Sequence, residues 1–225
     1  MPGIKYVCFD IGGVANVRTP DYAIASRVCK QFGKIFSEED LRRMIQPKIE
    51  DRNIWREFQN GEISAGKYID AALSIVQAPL TSENKRFFCS LLEDWCGIPY
   101  LPILDLVEAL NQNGYHTSVL SNNNEIMYNT PGAEIKNRVN VAISSHEIGV
   151  SKPHWNAYCV LLGKIKANTP EEVIFVDDQI WNVEAANNYG LQSFYFRSRE
   201  IGMDGAFSEL MQYLQARGVK FNKNV

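Results

Sequence analysis

From Ile103 onward the chain alternates between short apolar strands and amphipathic helices, and that alternation is what most restricts its fold. Ile103–Gln112 reads as a helix ending at Gly114, and His116–Leu120 as a strand. Val139–Ser144 reads as a strand, and Pro153–Lys164 as a helix with proline in its first turn. Glu172–Val176 is again a short β-branched strand, followed by a helix over Ile180–Tyr189 that Gly190 would cap. Ser193–Phe196 and Phe207–Ala216 supply a last strand and a closing helix. With an apolar strand at the start, Tyr6–Phe9, this makes five strands joined by helical crossovers. The expected architecture is an α/β fold, a doubly wound parallel sheet.

The stretch between Arg18 and Cys96 breaks the pattern, because it holds helix signals and no convincing strand. Pro20-Asp21 opens a helix running to Gly33, and Ser37-Glu38-Glu39-Asp40 resembles a capping box with aspartate in the usual glutamate position. Further helices are expected over Arg52–Gln59, Ser64–Gln77 and from Thr81 to Trp95. The domain division this suggests is a core of residues 1–17 and 97–225 with residues 18–96 as an all-helical insertion. An insertion directly after the first strand would lie over the C-terminal edge of the sheet, as a lid would.

Composition removes several function classes. A net charge of −3 argues against a nucleic-acid or anionic-membrane partner. No apolar run has the length of a membrane span, and Met1-Pro2-Gly3 leads into a core strand without a signal peptide. The five cysteines show no paired metal-type spacing and read as reduced core residues, so a cytoplasmic location is expected.

Four places in the α/β part carry chemistry. The first is Asp10, at the end of the opening strand and followed by Ile11-Gly12-Gly13-Val14. Open α/β sheets bind ligands at this end of their strands. The second is Ser121-Asn122-Asn123-Asn124, a hydroxyl and amides after a core strand, expected to lead into a helix and so to cradle phosphate. The third is Ser151-Lys152-Pro153, where a lysine could bring positive charge to a phosphate. The fourth is Asp177-Asp178, with Asn182 close behind. Adjacent carboxylates at a buried strand tip repel unless a cation or proton compensates. Hard oxygen donors of this kind suit Mg²⁺.

Taken in this order, the four places resemble the haloacid dehalogenase (HAD) superfamily of phosphohydrolases, along the whole chain. At finer grain, Phe9–Val14, Asn60-Gly61-Glu62-Ile63-Ser64, Leu120–Asn124 and Asp177–Asn182 are similar to the YihX-like bacterial phosphatases, which hydrolyse sugar phosphates such as α-glucose 1-phosphate. The resemblance implies that Asp10 is a nucleophile forming an aspartyl phosphate, and that residues 18–96 are a small helical cap. It implies Mg²⁺ held by Asp10, the Gly12 carbonyl and Asp178, with Asp177 and Asn182 orienting waters or Lys152. Ser121, the Asn122 amide and Lys152 would bind the phosphoryl oxygens. Arg18, Arg43, Lys48, Arg52, Trp55 and Arg56 are the cap side chains that could face the rest of a small phosphorylated substrate.

Gly12 departs from the superfamily pattern, in which a second aspartate protonates the leaving oxygen and later activates water. Such acid–base help is worth about 10²–10⁴-fold. Its absence favours leaving groups that are already acidic, such as a sugar's anomeric hydroxyl. Two other readings stay open at this point: a catalytically weak protein that binds or senses a phosphorylated ligand, and a 2-haloacid dehalogenase. The second would place Asp177 and Asp178 beside a carboxylate nucleophile with no cation to compensate them.

Overall fold

A computed structural model describes residues 3–220. Its central sheet contains β1 (Tyr6–Phe9), β6 (His116–Ser121), β7 (Val141–Ser144), β8 (Val173–Asp177) and β9 (Gln192–Tyr195). The strands run in the order β7-β6-β1-β8-β9 and every pairing is parallel. This is the doubly wound sheet that the alternation of strand and helix predicts. Side chains of β1, β6 and β8 divide between two cores, as the period of two requires. Val7, Phe9, Val119, Ile174 and Val176 join α6 (Leu101–Gln112) and α10 (Ser198–Ala216) on one face. Cys8, Leu120, Val173 and Phe175 join α8 (Trp155–Ile165) and α9 (Ile180–Asn188) on the other. A short helix, α7 (Ser145–Ile148), follows β7.

Register sets the level of the site. Phe9 pairs with both Val119 and Val176, so β1, β6 and β8 end side by side. The next β6 strand lies on one flank of β1 and β8 on the other, so the chain direction switches beside β1. A crevice forms at such a switch point.

The chain leaves the sheet through β2 (Asn16–Val17) and returns through β5 (Ile98–Pro99), which pair as an antiparallel ribbon. Between them lie α1 (Asp21–Phe32), α2 (Glu38–Ile45), α3 (Ile54–Gln59), α4 (Ala65–Ile75) and α5 (Ser82–Cys96). These five helices bury their own core, built from residues including Val28, Met44, Phe58, Tyr68, Leu73, Phe88 and Leu91. The expected capping box is present: the Asp40 amide donates to Ser37 Oγ and the Ser37 amide to Asp40 Oδ2, each at 3.1 Å.

Local differences from the sequence reading have local causes. A small hairpin, β3 (Lys48–Ile49) with β4 (Arg52–Asn53), occupies a region read as strand-free. Two-residue strands are too short to show a period. Helix α3 begins at Ile54 rather than Arg52 because Asn53 caps it, its Oδ1 accepting from the Arg56 amide at 3.0 Å. Helix α8 begins at Trp155 rather than Pro153, with His154 as its extended N-cap. Helix α10 starts well before Phe207, with a break at Gly202.

Candidate active site

The tip of β1 stays in the sheet through Asp10, whose amide donates to the Val176 carbonyl at 2.8 Å. The chain then folds back on the Ile11 carbonyl, which accepts from the amides of Val14, Ala15 and Asn16. Gly13 takes the left-handed conformation this turn needs, φ +77°. A β-carbon there would also lie 2.7 Å from Asp178 Oδ2, so the turn and Asp178 fit only with glycine at that place. Gly12, by contrast, is not in the left-handed region, and what it provides is space.

Lys152 organises the strand tips. It is 1% exposed, and its ammonium donates to Asp10 Oδ1 at 2.9 Å, Asp177 Oδ2 at 2.6 Å and the Leu120 carbonyl at 2.6 Å. All three donors of the ammonium are thereby used. Burial acts against its charge, but the carboxylates of Asp10 and Asp177 outweigh that and raise its pKa. Asn122 holds the backbone of the same residue, Nδ2 donating to the Lys152 carbonyl and Oδ1 accepting from its amide, both at 2.7 Å.

Asp177 is fully buried and saturated. Besides Lys152 it accepts from the Gln179 amide at 2.8 Å and from Asn182 Nδ2 at 3.0 and 3.1 Å to its two oxygens. Asp178 differs. Its Oδ2 accepts from Gln179 Nε2 at 2.6 Å and lies 3.4 Å from Arg199, while its Oδ1 is buried without a hydrogen-bond partner among the described residues. Carboxylate oxygens of Asp10, Asp177 and Asp178 fall within 4.8 Å of one another. Burial raises the Asp177 and Asp178 carboxyls above the ordinary aspartate range, opposed by Lys152 at the first and by Arg18 at the second. An orphaned, buried carboxylate oxygen beside two more carboxylates is a donor set that fits a small hard cation such as Mg²⁺.

Ser121 is buried at the end of β6. The segment after it is not the α-helix expected from the sequence. Its first helical turn is a 3-10 piece at Met127–Asn129, and Asn124 Oδ1 caps it by accepting from the Ile126 and Met127 amides. The amides of Asn123 and Asn124 are engaged by Ser145 Oγ and Asn123 Oδ1.

The helical unit docks over these tips through its Gln59–Ala65 turn. Gln59 Nε2 donates to the Asn122 carbonyl at 3.1 Å, Ser145 Oγ donates to the Gln59 carbonyl at 2.6 Å, and Ser151 Oγ donates to Asn60 Oδ1. Between the two units lies a cleft of about 830 Å³ with Asp10, Asn122, Lys152, Asp178 and Asn182 at its floor.

Of the cap residues read from the sequence, Arg18 and Trp55 line this cleft. Trp55 also packs on Phe58, Tyr68 and Trp95, so its core role and its place in the wall coexist. Arg43, Lys48, Arg52 and Arg56 are not among the lining side chains. Arg52 is instead paired with Glu57, its Nε donating to Oε1 at 2.9 Å. Arg42, not Arg43, faces the cleft, because it shares a face of α2 with the lining residues Leu41 and Ile45. The sequence reading also missed Trp95, Gln179, Trp181 and Arg199. The last three follow strand tips, at β8 and β9, and the rule that ligands collect there was sufficient to nominate them.

A parallel sheet with three carboxylates and a buried lysine at its switch point defines an α/β enzyme core. The model of the haloacid dehalogenase-like hydrolases matches residues 4–190, and the chain belongs to that family. A D-ribitol-5-phosphate phosphatase of Bacteroides thetaiotaomicron is 24% identical over 202 residues, covering 85% of this chain and 91% of that protein. Among solved structures, a HAD family enzyme from Bacteroides thetaiotaomicron, in complex with magnesium and inorganic phosphate, superposes with a TM-score of 0.69 at 20% identity. The match covers 86% of this chain and 94% of that one. The L-2-haloacid dehalogenase RSc1362 superposes at 0.66 with 17% identity, over 95% of this chain and 100% of its own.

Proposed function

We propose that this hydrolase is a Mg²⁺-dependent phosphomonoesterase acting on a small phosphorylated metabolite, a sugar phosphate. The observation that carries the reading is the pairing of a buried Lys152–Asp10 contact with an unpartnered Asp178 oxygen beside it. One arrangement supplies a positioned nucleophile, the other a cation site. A dehalogenase has no use for the second, and a binding protein has no use for a nucleophile held against a lysine. The cap assignment of residues 18–96 belongs to the same proposal, supported by the separate helical core and the cleft it roofs.

In this reading Asp10 attacks phosphorus and becomes an aspartyl phosphate, which water then hydrolyses. Lys152 aims the Asp10 carboxylate through its contact with Oδ1 and offsets phosphoryl charge. Ser121 and the Asn122 amide hold phosphoryl oxygens. Asp10, the Gly12 carbonyl and Asp178 would hold Mg²⁺, with Asp177 and Asn182 fixing the groups around it. The ion, when bound, supplies charge neutralisation at the transferring phosphoryl group. Catalysis rests on positioning and electrostatic stabilisation.

The substrate class draws on two supports. The resemblance to YihX-like phosphatases favours a sugar 1-phosphate such as glucose 1-phosphate, and the ribitol-phosphatase relative adds polyol 5-phosphates to the panel. Phosphate release with and without Mg²⁺, measured over both groups and p-nitrophenyl phosphate, tests the reading. Turnover that needs Mg²⁺ is expected. Tight binding of these compounds without release would mean a sensor, and halide release from 2-haloacids a dehalogenase.

A further inference from the structure

Gly12 leaves room, and that room is filled. A β-carbon on Gly12 would lie 2.0 Å from Nη2, 2.9 Å from Cζ and 3.0 Å from Nε of Arg18. The guanidinium therefore occupies the space that any side chain at position 12 would need. It lies over the Trp95 ring, 5.8 Å from the centroid, and Trp95 is braced in turn by Trp55 at 5.9 Å. Trp95 Nε1 donates to Asp21 Oδ1 at 3.3 Å, which helps to hold the indole in place. Arg18 lines the same cleft as Asp10 and Asp178, directly after β2.

We infer that Arg18 is a catalytic residue of this site: its guanidinium, fitted over Gly12, meets the oxygen that departs from phosphorus and stabilises the charge developing there. This rests on the phosphatase reading above. As Asp10 Oδ bonds to phosphorus, the bond from phosphorus to the substrate oxygen breaks and that oxygen keeps the electron pair. Position 12 holds no acid to protonate it. A guanidinium stays protonated throughout, so Arg18 offers charge and N–H donors rather than a proton. The departing alkoxide takes its proton from water, and the hydroxide so formed attacks the aspartyl phosphate. The phosphorus–Asp10 bond breaks, the carboxylate is restored and phosphate leaves, with one water consumed. The consequence for specificity is that the enzyme is not confined to acidic leaving groups. Ordinary sugar and polyol hydroxyls become usable because Arg18 takes their charge.

The test is a leaving-group series, from p-nitrophenyl phosphate through phenyl phosphate to sugar and polyol phosphates, with Mg²⁺ present and kcat and KM separated. In Arg18→Ala, kcat for the alkyl phosphates is expected to fall about 10²-fold, while p-nitrophenyl phosphate changes by no more than about threefold. Arg18→Lys should recover part of that loss. Gly12→Ala, which pushes the guanidinium aside, should reproduce the steeper dependence on leaving group and add nothing in the Arg18→Ala background. Thermal unfolding of each variant separates these effects from misfolding. A uniform loss across the series, a change in KM alone, or additive Gly12→Ala and Arg18→Ala effects would overturn the inference while leaving the phosphatase reading intact. A wild-type protein that turns over none of the series removes both.

Discussion

The two walls of the cleft are built on opposite rules. On the sheet side the charges are buried and bonded: Lys152 spends its three donors on Asp10, Asp177 and a carbonyl, and Asp177 accepts from three different residues. On the helical side Arg18 and Arg42 are exposed, and the rest of the wall includes the half-buried, tilted aromatic pair Trp55 and Trp95. The difference teaches where each property resides. A buried polar network has one satisfied arrangement and holds reacting groups to it, at a heavy cost if one member is lost. Exposed arginines can be exchanged at little cost to folding, which suits the part of a site that meets the substrate.

Breaking the sheet side should therefore show in stability as well as activity. Lys152→Ala leaves two buried carboxylates without their cation and should destabilise the fold by about 3–5 kcal/mol, read from urea unfolding. If Lys152→Ala unfolds like wild type, the network is not the rigid element described. One step out, Asn182→Ala removes the donor that orients Asp177 and should raise the Mg²⁺ needed for half-maximal phosphate release about 10–100-fold. On the helical side the effects move to binding. Arg42→Ala should raise KM roughly tenfold with kcat unchanged, the loss of one charged contact to substrate. Smallest of all, Arg43→Ala and Arg52→Ala should leave both kinetics and the unfolding temperature as they are. A large KM effect from either would mean that the cleft closes into a different shape around substrate.

The same contrast explains what could be read in advance. The sheet, its order of strand and crossover, and the residues Asp10, Asn122, Lys152, Asp177, Asp178 and Asn182 were legible because strand ends are fixed by hydrophobic period and sheet register. The helical wall was not, since nothing local distinguishes Arg42 from Arg43. Which of them faces the cleft depends on how α2 rotates when Leu41, Met44 and Ile45 turn toward their neighbours. The Asn124 cap shows the converse: Ser121–Asn124 reads as a helix start, yet the side chains of Asn123 and Asn124 accept from the backbone amides that follow them and close a tight turn instead. Gly12 was the subtlest case. Its missing side chain was plain in the sequence, but the guanidinium in its place comes from spatial packing six residues on.

The most direct test of the central claim is phosphate release by Asp10→Asn, beside acid-quenched wild-type protein searched by mass spectrometry for a phosphoryl group on the segment Tyr6–Val14. Loss of turnover by a factor of about 10⁴ or more, with the phosphoryl group found on Asp10 of the wild type, is the predicted result. An Asp10→Asn protein that still hydrolyses sugar phosphates at near the wild-type rate would contradict it.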